Sequence, residues 1–177
     1  MERVRREQTR KKAFLICLIG TEPVLDSGSG KVFQGAAQCL KNLGIVSDLA
    51  LLTDLNARAA HNEWNIHGLP PCTMICMRRR VLSHVLSDLL NLEYDRKKIL
   101  VIGFGADVLE ATQKCGMLFY PIIPSQEVEG WRILNEEASL KLLHGTYEGV
   151  YQQRLLAKHN AWLAWVYEQE NKESDTD

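Results

Sequence analysis

Residues 98–121 read KILVIGFGADVLEATQKCGMLFYP, and this stretch decides the fold. Ile99 to Ile102 is an apolar run of strand length, broken by Gly103-Phe104-Gly105. From Ala106 the pattern changes to that of an amphipathic helix. Val108, Leu109, Thr112 and Cys115 fall at the i, i+1, i+4, i+7 spacing of one packed stripe. Gly116 stands where a helix is stopped, and Met117 to Tyr120 begins a further strand. Strand, glycine loop, helix, glycine, strand is a βαβ unit, which predicts a parallel sheet covered by helices. Ligands meet such sheets at the carboxyl ends of the strands. The residue at that point of the loop is Phe104.

The rest of the chain repeats the alternation. Ala13 to Ile19 (AFLICLI) is a short buried-type strand, ended by Gly20-Thr21-Glu22-Pro23. Asp26 to Gly30 is loop, and Lys31 to Leu43 reads as a helix. The short connection leaves no room for a sizeable cap domain. Leu49 to Thr53, Thr73 to Met77 and the opening stretch supply further strands. Helices fall at Ala57 to Ile66 and after Arg78-Arg79-Arg80. Two prolines, Pro121 and Pro124, precede a helical C-terminal extension, with helices expected over 134–143 and 146–167. The expected fold class is therefore α/β, a doubly wound parallel sheet of about five strands flanked by helices. The expected organisation is a basic tail over 1–12, one domain over 13–167, and a polar, frayed tail over 168–177.

At 177 residues, 46% hydrophobic and 24% charged, the chain suits a single globular domain. Its net charge of −1 gives no general attraction to nucleic acid or anionic membrane. No window offers the roughly 20 apolar residues a membrane span needs. No secretory signal pattern follows the basic start. The five cysteines, an odd number, lie mostly on apolar faces and read as reduced thiols, so a cytoplasmic location is expected. Cys72 and Cys76 are too few for a zinc site. The GFG of residues 103–105 lacks the third glycine of a dinucleotide fingerprint.

Taken together, these elements resemble the haloacid dehalogenase-like (HAD) hydrolase superfamily, over roughly residues 14–163. The ending FYPIIP (119–124), Trp131 and GTYEG (145–149) with Tyr151 resembles that of one bacterial subgroup. The resemblance implies a Rossmann-like fold, phosphatase chemistry and four strand-end motifs. The first, DxDGT, falls on Cys17-Leu18-Ile19-Gly20-Thr21, where Gly-Thr is kept and both acids are replaced. The second, a Ser or Thr that bonds the phosphate, falls on Thr53. The third, a basic residue near a helix start, falls on Arg80 with Arg78 and Arg79 beside it. The fourth, an acidic pair of the GDxxxD kind, falls on Gly103-Phe104-Gly105-Ala106-Asp107. Phe104 replaces its first acid and Asp107 stands one residue early for its second, where it also suits a helix N-terminus.

The three positions where the resemblance implies acids thus hold Cys17, Ile19 and Phe104. Magnesium prefers hard oxygen donors, a thiol is soft, and an apolar strand raises rather than lowers a thiol pKa. Asp26, Asp48 and Asp54 read as loop or cap residues. The expectation is a non-catalytic, pseudophosphatase-like protein with a binding, scaffold or regulatory role, no catalytic residue and no cofactor. Gly20, Thr21, Thr53 and Arg80 are its candidates for holding a phosphate or other anion, with a phosphorylated small molecule as ligand class. Phe104 could instead fill the space. The alternative is an active phosphohydrolase with atypical residues, in which Mg²⁺ would be required and Asp107 would be its candidate ligand. The aromatic stripe of the terminal helices (Tyr147, Tyr151, Leu155, Trp162) packs on the core or forms a homodimer contact.

Overall fold

The computed structural model describes residues 11–77 and 79–174, the last two by backbone alone. The expected basic tail therefore lies outside the described residues except for Lys11 and Lys12, as does Arg78. Five strands form the sheet: β1 (Phe14–Ile19), β4 (Ser47–Thr53), β5 (Thr73–Cys76), β6 (Ile99–Gly103) and β7 (Leu118–Pro121). Their order is β5-β4-β1-β6-β7, with every pairing parallel. The chain winds outward from β1 to one edge and then returns to build the other. β1 and β6 are thus neighbours at the point where the winding reverses, which is where such a sheet opens a crevice. The doubly wound α/β expectation matches this architecture.

Helices α1 (Ala36–Val46), α2 (Ala57–Ile66), α3 (Leu82–Leu89) and α4 (Ala106–Lys114) connect the strands. Because side chains alternate across a strand, the sheet feeds two cores. Ile16, Leu18, Leu51 and Ile102 join α1, α2 and the C-terminal helices on one face. Leu15, Cys17, Leu52 and Val101 join α3 and α4 on the other. Each fully buried Leu or Ile contributes roughly 1.5–3 kcal/mol.

A hairpin of β2 (Leu25–Asp26) and β3 (Lys31–Val32) occupies the connection after β1, so the helix expected from Lys31 begins only at Ala36. Local turn chemistry wins there. Asp26 accepts hydrogen bonds from the Gly28 amide at 3.0 Å and the Ser29 hydroxyl at 2.6 Å, as aspartates at turns do. Gly35, at φ 87°, then sets the helix start.

The C-terminal part forms α5 (Glu127–Ile133), a π-helical turn (Leu134–Ala138), α6 (Ser139–Leu143) and α7 (Val150–Ser174). The expected helix over 134–143 thus begins seven residues sooner, at Glu127. The expected polar tail is helical as far as Ser174. The FYPIIP–Trp131–GTYEG segment proves to be a set of anchors. Trp131 Nε1 donates to the Pro23 carbonyl at 2.7 Å, and the Tyr120 hydroxyl to Gly130 at 2.6 Å. On edge strand β7, the Phe119 amide donates to Gln152 Oε1 at 3.0 Å and its carbonyl accepts from the Tyr147 hydroxyl at 2.7 Å. Tyr147, Tyr151 and Leu155 are buried, so this part of the aromatic stripe is core, whereas Trp165 and Tyr167 further along α7 are exposed. Among the described residues no helix is long and apolar enough to cross a membrane.

Candidate functional site

At the carboxyl ends of β1, β4, β5 and β6, two adjoining crevices share Ile19, Asp54 and Met77 as walls. The larger, about 760 Å³, is completed by Arg79, Arg80 and Asp107 among others. The smaller, about 570 Å³, is completed by Gly20, Thr21, Glu22, Thr53, Glu63 and Phe104 among others.

Cys17 lines neither. It sits inside β1, paired with Ala50 and Val101, and is fully buried. Burial pushes its thiol pKa far up, so the thiolate that a nucleophile requires is suppressed. Ile19 ends the same strand and lies against Gly103: a Cβ at 103 would come within 3.2 Å of Ile19 Cβ and 3.1 Å of Val108 Cγ1. A glycine is what lets β6 run that close. Phe104 follows, its ring set edge-on to Trp162 at 5.0 Å and 83°. The ring is therefore held as a wall of the smaller crevice by α7, and that crevice remains open beside it.

The four anion candidates divide. Thr21 and Thr53 border the smaller crevice and Arg80 the larger. The Gly20 amide, expected to face an anion, donates to the Leu52 carbonyl at 2.8 Å and so extends the β1–β4 pairing. Glu22 folds over Gly20, its Oε2 2.0 Å from where a Cβ would stand. Thr53 is 5% exposed, and its Oγ1 accepts from the Leu55 amide at 3.2 Å. Arg80 pairs with Asp88, so its charge is partly committed. Arg79 holds φ at 62°, an uncommon conformation for a residue other than glycine, and such strain clusters at functional sites.

Sequence reasoning named Asp107 here but did not bring Asp54, Glu22 and Glu63 to the same region. Asp54 was expected to be a cap or loop residue. It is a loop residue, since the cap of α2 is Asn56, whose Oδ1 accepts from the Ala59 amide at 2.9 Å, and it also lines both crevices. Glu22 and Glu63 arrive from the loop after β1 and from α2, positions with no sequence signal of convergence. Asp107 stands in the first turn of α4. Among the described residues, four acids thus border the crevices against two arginines. Asp26 closes the hairpin, and Asp48 lies at the other end of β4.

These acids do not make a magnesium cage. Among the described residues no three His, Cys, Asp or Glu side chains converge on a point. Ile19 and Phe104 offer no donor atom, and Cys17 points into the core. The residues present do not fit the Mg²⁺ that the hydrolase alternative requires. Cys72 and Cys76 make no site of that kind either. Cys72 Sγ lies 3.7 Å from Met74 Sδ, and burial pushes its pKa up to about 12.

One further residue supports the loop. His159 of α7 is fully buried, and its Nε2 accepts from the Gly105 amide at 3.2 Å, directly before α4. Its ring packs edge-on to Phe119 at 5.4 Å. Burial holds its pKa down, which keeps the neutral form that can accept this bond. The signal for it was the spacing Tyr151, Leu155, His159, one buried residue every helical turn.

No protein-family model and no curated protein matches the chain. Solved structures do. A protein of Streptomyces avermitilis MA-4680 described as a HAD family hydrolase aligns at 11% identity, over 62% of this chain and 66% of its own, with a TM-score of 0.42. A hypothetical protein from Xanthomonas campestris aligns at 14% identity over 77% of this chain and 90% of its own, with a TM-score of 0.46. A hypothetical protein from Pyrococcus horikoshii OT3 aligns at 14% identity over 62% of this chain and 41% of its own, with a TM-score of 0.31. A likeness at these identities assigns no chemistry to this chain.

Proposed function

We propose that this chain is a HAD-like protein without phosphohydrolase turnover, acting by binding at the carboxyl end of its sheet. The observation that carries this reading is the state of the first motif: Cys17 is sealed in the core with its thiol protonated, and Ile19 is packed on Gly103. General acid–base help alone is worth about 10²–10⁴-fold, and Ile19 can supply none of it. The anion-holding role falls to the larger crevice. Arg79 and Arg80 border it, and Asp54 and Asp107 oppose them, which favours a ligand bearing both charge signs over a bare phosphate. A phosphorylated metabolite with a cationic or hydroxyl-rich body meets that description. Five free thiols accord with a reducing compartment, and we place the protein in the cytoplasm.

The test is a phosphatase assay on the pure full chain with p-nitrophenyl phosphate and Mg²⁺, beside calorimetry with phosphorylated metabolites. The expected result is no turnover above the buffer rate, and heat of binding lost on Arg79→Ala. Turnover abolished by Asp107→Asn and by chelator would establish the hydrolase instead.

A further inference from the structure

A third crevice, of about 830 Å³, lies at the opposite end of the sheet, where β4 and β5 begin. It uses none of the strand-end residues. Lys11, Lys12 and Lys41 line it, and among its described lining residues Asp48 is the one acid. That carboxylate is already engaged, accepting from the Lys12 amide at 2.9 Å and from the Tyr94 hydroxyl. Lys12 Nζ covers the carbonyl of Gly44 near the end of α1, which offsets the negative end of that helix. Lys11 Nζ rests 4.2 Å from the centre of the Tyr94 ring. Lys41 has no partner among the described residues.

A further observation points to an occupant. At the rim, Ile45 and Leu92 stand 74% and 51% exposed, an apolar border beside a cationic one. Small-molecule sites combine an apolar enclosure of this size with a few placed polar groups.

We propose that this crevice binds an organic anion with a flat apolar body. Lys11 and Lys41 take the charged head, and Tyr94, Ile45 and Leu92 take the body. Three positive charges against one compensated carboxylate exclude an organic cation. The apolar rim separates this ligand class from a free inorganic ion.

Calorimetric titration of the full chain with 1-naphthalenesulfonate tests the proposal, with neutral 1-naphthalenemethanol and inorganic sulfate as comparison ligands. The sulfonate is expected to bind more tightly than either, and more weakly at high salt. Lys11→Glu combined with Lys41→Glu should weaken it by about tenfold or more. Lys31→Glu, on the β2–β3 hairpin and lining none of the three crevices, should change nothing. Undetectable binding, equal affinity in the lysine double variant, equal binding of the neutral analogue, or loss of binding in Lys31→Glu would each overturn the proposal.

Discussion

Two buried side chains set what single residues do here. Cys17 occupies a dry core position, and Cys17→Ser places a hydroxyl there without a partner. A loss of about 1–3 kcal/mol in a urea melt is the expected outcome, with no effect on ligand binding at the crevices, which Cys17 does not touch. His159 carries a pH dependence. Its folded pKa lies below the ordinary 6.5 because burial disfavours the charged form. Below about pH 6.5 the unfolded chain therefore holds a proton that the folded chain refuses. Stability is complete above that pH and declines as pH falls from about 6.5 towards the folded pKa. A protonated Nε2 also cannot accept the Gly105 amide. Thermal midpoints from pH 5 to 8 should show this slope in the native chain and a flatter one in His159→Gln.

At the scale of the element, the βαβ unit at 99–121 is held by two glycines with different duties. Gly103 makes room: in Gly103→Ala the new methyl meets Val108 and Ile19 inside 3.4 Å, and overpacking of this kind costs about 1–3 kcal/mol. Gly116 makes a turn: it follows α4 at φ 68° with nothing closer than Arg96 Cδ at 3.5 Å, so Gly116→Ala should cost about 1 kcal/mol through backbone strain alone. Chemical denaturation separates the two, the first variant disturbing the Ile19 wall and the second leaving it intact. The same unit was legible from sequence because its strand is a continuous apolar run and its helix has a clean stripe. The hairpin of β2 and β3 was not, since strands of two residues carry no periodicity and are made by the Asp26 turn instead. The start of α5 at Glu127 was hidden behind the prolines at 121 and 124, after which the helix was expected only from Leu134.

Across the whole molecule, the identities at the strand ends could be read from the chain, and their surroundings could not. Ile19, Thr53 and Phe104 fall where the βα alternation puts them. Glu22 and Glu63 reach the same crevice from a turn and a helix flank, and only packing brings them there. Charge balance around the crevices follows from that convergence, so Glu22→Gln combined with Glu63→Gln is expected to tighten binding of a phosphorylated ligand several-fold in calorimetry.

The side chains that quiet the outer edge of β7 come from Tyr147 and Gln152, 28 and 33 positions after Phe119. During synthesis the strand is therefore made well before its covering. For that interval it offers a bare amide and carbonyl to any neighbouring nascent chain, the situation that leads strands to pair between molecules. A shortened product stopping before residue 147 is expected in the insoluble fraction on expression, and the full chain in the supernatant. Slow translation through 122–146 should lower the soluble yield of the full chain as well.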